Sequence, residues 1–134
     1  MTETKLLEGK ILLNGHGEGE LLRLDEPLSF WGGVDPASGR ITQVRHPQCG
    51  ISVAGRMLAL PGTIGSSSSS AIMLELIRIG QAPAGLVLVE PDAILILGAV
   101  VAREMGWQAP PAIQIARDEM QALAGGTYRI NAGE

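Results

Sequence analysis

Apolar positions in the first sixty residues fall in short runs broken by turn formers; beyond them the runs lengthen and alternate between helical and strand spacing. Lys5 to Leu13 and Glu20 to Leu24 read as strands, separated by the glycine-dense turn Asn14-Gly15-His16-Gly17-Glu18-Gly19. Leu28 to Val34 reads as a further strand, weakened at its end by Gly32-Gly33. Asp35-Pro36-Ala37-Ser38-Gly39 is a turn, because proline presets φ and glycine accepts positive φ. Ile41 to Val44 is the return strand, and Arg56 to Leu60 is an apolar strand running into Pro61-Gly62.

The second half changes character. Ser67 to Ile79 carries Ala71, Ile72, Met73, Leu74, Leu76, Ile77 and Ile79 with only Glu75 and Arg78 charged, which predicts a mostly buried helix ended by Gly80. Gly85 to Val89 predicts a buried strand. Pro91-Asp92 starts a second helix reaching about Met105, with Asp92 as N-cap and Gly106 as its stop. Pro111 to Ile115 is a strand, Arg117 to Ala124 a short helix and Thr127 to Ile130 a last strand. The expectation is one α/β domain over residues 1–134, with its core at about 5–130: a β-rich N-terminal half, then alternating helices and strands. No internal repeat or linker interrupts it.

Composition narrows the chemistry. The chain has one cysteine, Cys49, which excludes an internal disulfide and any metal or iron–sulfur site held by several of its own thiolates. Its aromatics are one Phe, two Trp and one Tyr, so Leu, Ile, Val and Ala must build the core. A net charge of −4 without a basic cluster argues against a nucleic-acid surface. The longest apolar run, Ala93 to Ala102, falls short of the roughly 20 residues that cross a bilayer, and the start MTETKLLEGK has no signal core. No membrane partner and a cytoplasmic location are expected. A mean hydropathy of +0.22 with 18% charged residues is high for an isolated monomer and points to either a dense core or a face hidden against another subunit.

The most informative stretch is Leu60-Pro61-Gly62-Thr63-Ile64-Gly65-Ser66-Ser67-Ser68-Ser69-Ser70. A serine run reads as a flexible linker on composition alone. Here it lies between a predicted buried strand and a predicted buried helix, where one serine caps the helix and the others remain to be explained. Strand, glycine loop and helix start gather backbone N–H groups and hydroxyls at the positive end of a helix dipole, a geometry that binds anions. A phosphate-binding P-loop would need Lys-Ser or Lys-Thr after its second glycine, and Gly65 is followed by serine. Ser52 and Ser66 both lack the Gly-x-Ser-x-Gly spacing of a nucleophile elbow.

The segment Pro27-Leu28-Ser29-Phe30-Trp31-Gly32-Gly33-Val34-Asp35-Pro36, then Gly39-Arg40-Ile41, His46-Pro47 with Gly50, and Leu60-Pro61-Gly62 leading to Gly65-Ser66, resembles the small subunit, or swivel domain, of aconitase X over about residues 5–120. The resemblance implies a swivelling β/β/α domain that closes over a large subunit carrying an iron–sulfur cluster. It also implies a dehydratase acting on a small hydroxy acid. Family members convert cis-3-hydroxy-L-proline to Δ1-pyrroline-2-carboxylate in bacteria, or dehydrate mevalonate 5-phosphate in archaea. The serine after the loop glycine, Ser66 here, is the implied proton acceptor, with iron in the large subunit acting on the leaving hydroxyl. Gly65 would admit close backbone approach, and the N–H groups of Ser67 and Ser68 would hold a substrate oxygen.

Serine titrates many units above neutrality, and a helix start contributes at most about 2 kcal/mol, or about 1.5 pKa units at about 1.36 kcal/mol each. Additional positive charge from the partner is therefore part of this reading. Pro61 to Ser70 contains no Arg or Lys, and Ile64 stands where the resemblance puts a basic residue in archaeal members, which favours the hydroxyproline substrate.

Other residues keep competing roles. Trp31, with Gly32 and Gly33, marks either core or a subunit interface; His46 either lines the cleft or makes a structural hydrogen bond. His16 is an exposed turn residue or, like His46, the bearer of a phosphoryl group; Cys49 is an inert small side chain. The leading expectation is a hydro-lyase small subunit that binds no metal or cofactor alone. It would pair with an aconitase X large subunit carrying the cluster. A mevalonate 5-phosphate dehydratase subunit, a non-catalytic anion-binding module and a phosphoryl carrier are the alternatives.

Overall fold

The computed structural model describes residues 3–64 and 68–133. Its strands and helices follow in the order β1 (Lys5–Leu7), β2 (Lys10–Leu13), β3 (Gly15–Arg23), β4 (Met57–Leu60), α1 (Ser69–Ile79), β5 (Gly85–Leu88), α2 (Ala93–Glu104), β6 (Ala112–Gln114), α3 (Arg117–Gln121) and β7 (Thr127–Ala132). The seven strands make one sheet in the order β1-β7-β3-β4-β5-β6-β2. β3, β4, β5 and β6 are parallel neighbours, whereas β7 runs antiparallel to β3, and β2 antiparallel to β6.

β1 and β2 occupy opposite edges of that order although only Glu8 and Gly9 separate them. Two residues cannot bridge a flat sheet of seven strands spaced about 4.8 Å apart. The sheet therefore folds over at β3, whose first half pairs with β7 and second half with β4. This makes two β layers with a helical layer outside. Strand alternation sorts the side chains: Met57, Ala59, Val87, Ile113, Tyr128, Ile130 and Ala132 fill the space between the β layers. Leu58, Leu60, Leu86 and Leu88 face the opposite way, onto Met73 and Leu76 of α1 and Leu95, Ala99 and Ala102 of α2. The expected β/β/α arrangement is present.

Four local expectations need correction. The single strand Lys5 to Leu13 is two strands, because the chain changes edge at Gly9, where a Cβ would strike the Gln114 carbonyl. The glycine-dense stretch Gly15–Gly19 is the first part of β3 and not a turn. Its glycines serve close approach: a Cβ at Gly17 or Gly19 would collide with the carbonyl oxygens of Ala84 or Gly55. Leu28 to Val34 and Ile41 to Val44 are not strands but parts of an apolar excursion carrying isolated bridges, Leu28 to Thr63, Val34 to Ile41 and Arg40 to Ser52. The alternation that suggested strands is real, but it places Leu28, Phe30, Val34 and Ile41 in the helix-side core. α3 ends at Gln121, where the Arg23 guanidinium donates to the carbonyls of Met120, Gln121 and Leu123 in place of further helical turns.

The helical layer is drawn together at Gly98, midway along α2. A Cβ there would collide with the Ser70 carbonyl oxygen and lie 3.0 Å from Met73 Cβ, so the missing side chain sets how closely α1 approaches. Gly98→Ala separates two opposing effects. Helix propensity alone favours alanine by about 1 kcal/mol, whereas overpacking of a close contact costs about 1–3 kcal/mol. The contact dominates, so the urea unfolding midpoint of Gly98→Ala is expected to fall.

Candidate functional site

The serine run joins the carboxyl end of β4 to the first turn of α1. Of the residues singled out there, Gly65, Ser66 and Ser67 lie outside the described residues, while Ser68 is the N-cap position of α1. Each flank of the run is held to α2. On the β4 side, Thr63 Oγ1 donates to Asp92 Oδ2, and the other oxygen of Asp92 accepts the N–H groups of Ile94 at 2.9 Å and Leu95 at 3.2 Å. One carboxylate thus caps α2 and ties down Thr63. On the α1 side, the Ser70 backbone rests on Gly98.

The two helix starts differ electrostatically. The positive end of α2 is neutralised by its own Asp92. α1 has no acidic residue in its first turn, and the Ser68 side chain makes no capping bond. With no acidic residue in its first turn, the helix start beside the serine run has the polarity that favours a negative group. Inside that turn, Ser69 is 2% exposed, and its Oγ has no hydrogen-bond partner. A buried hydroxyl left unpaired costs about 1–3 kcal/mol. The first turn of α1 thus carries a polar group that packing alone does not explain.

The structure brings a distant part of the sequence alongside. Leu28 N–H donates to the Gly62 carbonyl at 3.3 Å, and Ile64 N–H donates back to the Leu28 carbonyl at 3.1 Å. The Trp31-Gly32-Gly33 turn follows directly, with Trp31 57% and Ile64 53% exposed. Ser29 Oγ donates to the Trp31 carbonyl at 2.8 Å, and Gln43 Oε1 accepts the Ser29 N–H at 3.1 Å. Gly33 sits so close to Ser29 that a Cβ would strike its carbonyl. Trp31 is thus an outward aromatic on a turn three residues beyond the Leu28 backbone that pairs with Gly62 and Ile64.

His46 is 3% exposed and bonded through both ring nitrogens. Nδ1 accepts the Gln48 N–H at 3.0 Å and Nε2 lies 3.1 Å from the Glu26 carbonyl, which assigns the neutral tautomer with hydrogen on Nε2. In this position it braces the 43–50 segment against the residues before Pro27. His16 is exposed on β3, paired in register with Asn131, and Cys49 is exposed.

Sequence reading recognised Asp92 as a cap but missed Thr63 as its second partner. It also missed Gly98, although a glycine in the middle of an apolar helix signals close packing. Among the described residues, no three His, Cys, Asp or Glu side chains gather where they could hold a metal ion. Among the described residues, no helix is long and apolar enough to cross a membrane.

A two-layered sheet under a helical pair, with a serine-rich helix start at the carboxyl end of a central strand, is the build of a swivel-type domain. The chain belongs to the aconitase X swivel domain family, whose model matches residues 6–133. It is 46% identical over 111 residues to a Pseudomonas aeruginosa protein named cis-3-hydroxy-L-proline dehydratase, a match covering 83% of this chain and 19% of that protein. It is 36% identical over 128 residues to the phosphomevalonate dehydratase small subunit of Thermococcus gammatolerans, covering 96% of this chain and 92% of the relative. The structure of Thermococcus kodakaraensis aconitase X in its holo-form superposes with a TM-score of 0.81 at 29% identity, over 93% of this chain and 90% of that one. The chain therefore spans only about a fifth of the Pseudomonas dehydratase and, at 21%, of a Hypocrea jecorina protein of the same name.

The Thr63–Asp92 bond can be tested without knowledge of the ligand. Thr63→Val should destabilise the domain by about 1–2 kcal/mol, and Thr63→Ser should restore most of the loss. Chemical denaturation of the three proteins checks this, and equal loss in both variants would show that the hydroxyl is not what matters.

Proposed function

We propose that this chain is the small subunit of a heteromeric hydro-lyase that dehydrates cis-3-hydroxy-L-proline to Δ1-pyrroline-2-carboxylate, with Ser66 as proton acceptor. The 46% identity to the Pseudomonas protein carries this reading. The flanks of the serine run support it, because two clamps on α2 hold the ends of the segment that bears Ser66. The start of α1, with no acidic residue in its first turn, suits a substrate carboxylate, with the Ser67 and Ser68 N–H groups as the proposed donors and Gly65 leaving room for approach.

In this mechanism Ser66 Oγ takes the proton from the carbon bearing the carboxylate as the bond from C3 to its hydroxyl oxygen breaks. The proton and the departing hydroxyl make up the water lost. The carbon–carbon double bond left behind is an enamine, and its tautomerisation places the double bond on nitrogen. The dipole of α1 is too weak to make serine basic alone. A cation from the large subunit, brought near as the domain closes, completes the base. The described residues offer no ligand set for an iron–sulfur cluster, so a cluster does not fit this chain. In this reading the cluster belongs to the large subunit.

A second reading, dehydration of mevalonate 5-phosphate, is favoured by one observation: this chain matches 92% of the Thermococcus small subunit, a separate chain of similar extent. A phosphate monoester calls for Arg or Lys contacts, and Pro61 to Ser70 contains neither. The hydroxyproline reading therefore leads.

The complex of this chain with its large subunit should release water from cis-3-hydroxy-L-proline and leave mevalonate 5-phosphate unchanged. Ser66→Ala should still assemble but lose at least about 100-fold in kcat, the scale of a removed general base. Full turnover by the Ser66→Ala complex would remove the assigned role, and turnover of the phosphate substrate alone would favour the second reading.

A further inference from the structure

Helix α2 lacks a polar side. Its inward residues Leu95, Ala99 and Ala102 are fully buried, as expected of a helix on a sheet. Its outward residues are apolar as well: Ile94 is 42% exposed, Leu97 51%, and Val100 and Val101 37% each. The first charged residue of the helix is Arg103, in its last turn. A helix that is apolar all round is normally buried all round. The apolar surface continues beyond α2, because Leu12 of the edge strand β2 and Pro91 join Ala93, Ile96, Leu97 and Val100 around a depression of about 270 Å³.

We infer that this face of α2 and β2 is where the large subunit docks, through an uncharged aliphatic surface of its own. The inference rests on the proposed function for the partner's identity. Two observations select that occupant. First, this domain makes up only 19% of the Pseudomonas relative, so four-fifths of that polypeptide lies outside it, whereas the Thermococcus relative is named a small subunit. A surface for the remaining mass is needed whether or not the chains are fused. Second, the face begins at Pro91–Asp92, and Asp92 holds Thr63 at the β4 flank of the serine run, so the docking surface adjoins the proposed site. A second copy of this chain would cover the same residues, yet it would add only another Cys49 and could not provide the thiolates of a cluster.

The uncharged character of the face sets the test. Leu97→Glu/Val101→Glu places two carboxylates on the outer side of α2 and disturbs no buried residue. In the co-expressed complex with the large subunit, this variant should keep its far-ultraviolet circular dichroism but weaken association at least about 100-fold, as loss of a central apolar contact does. Arg129→Gln, on exposed β7, should leave association unchanged. Leu97→Gln serves if the double variant loses helix, and an intact helix with at least 10-fold weaker association is the expected result. Unchanged association of a folded variant overturns the inference. So does a wild-type chain that is dimeric alone and becomes monomeric with the substitutions, since a second copy would then be the occupant. Association that depends on α2 in a complex without dehydratase activity would leave the docking face standing and remove the proposed reaction.

Discussion

The architecture around the serine run depends on the close approach of α1 and α2. The two helices touch through backbone at Gly98 and Ser70, and the first residue before α2, Asp92, reaches back to Thr63. A side chain at position 98 would push apart the elements that bracket the run, and loss of the aspartate would release its β4 flank. Interiors packed at crystalline density transmit such shifts because no free volume absorbs them. Both contacts have the same effect: α2 acts as a rigid bar to which both flanks of the serine run are fastened. Sites held by regular elements retain tighter geometry than sites on free loops.

Division of roles between the two helices follows from charge. Asp92 uses the dipole of α2 for structure, so that end is spent on capping. The start of α1 is treated differently, with no acid in its first turn and a buried Ser69 hydroxyl without a partner. A fold that satisfies one helix start fully and leaves the adjacent one under-satisfied gives up stability at the second, the usual mark of a functional site. The histidines follow the same contrast. His46 has both nitrogens engaged and acts as a brace, whereas His16 stands on the exposed side of β3.

Much of the fold was legible in the sequence, and the misses share a cause. The second half was read closely because helix and strand there carry their own punctuation: Gly80 and Gly106 after the helices and Asp92 before α2. The first half was misread where local pattern and tertiary use diverge. Glycines at 15, 17 and 19 look like a turn, yet at period two they are a strand face kept bare, for the Arg103 guanidinium at Gly15 and for the carbonyls of Ala84 and Gly55 at Gly17 and Gly19. Leu28 and Phe30 alternate as a strand would, yet they plug the core from a loop braced by Gln43 and His46. At the site, the position of the serine run and the cap at Asp92 could be read from residue type. The Thr63 partnership and the Gly98 contact could not, because both join residues about thirty positions apart whose identities alone reveal no contact.

The outermost strand has a consequence for how the molecule is assembled. Lys5 pairs with Tyr128 and Leu7 with Ile130, so the first strand of the domain waits for its last. Closing so long a loop is entropically slow, and the sheet is complete only when nearly the whole chain is available. Folding should therefore be concerted rather than stepwise along the chain. The same parallel pairing sets the first and last strands of the domain next to each other at one edge of the sheet. A domain whose terminal strands both lie at a sheet edge can be spliced onto a larger polypeptide or stand as a separate chain, and both arrangements occur among its relatives.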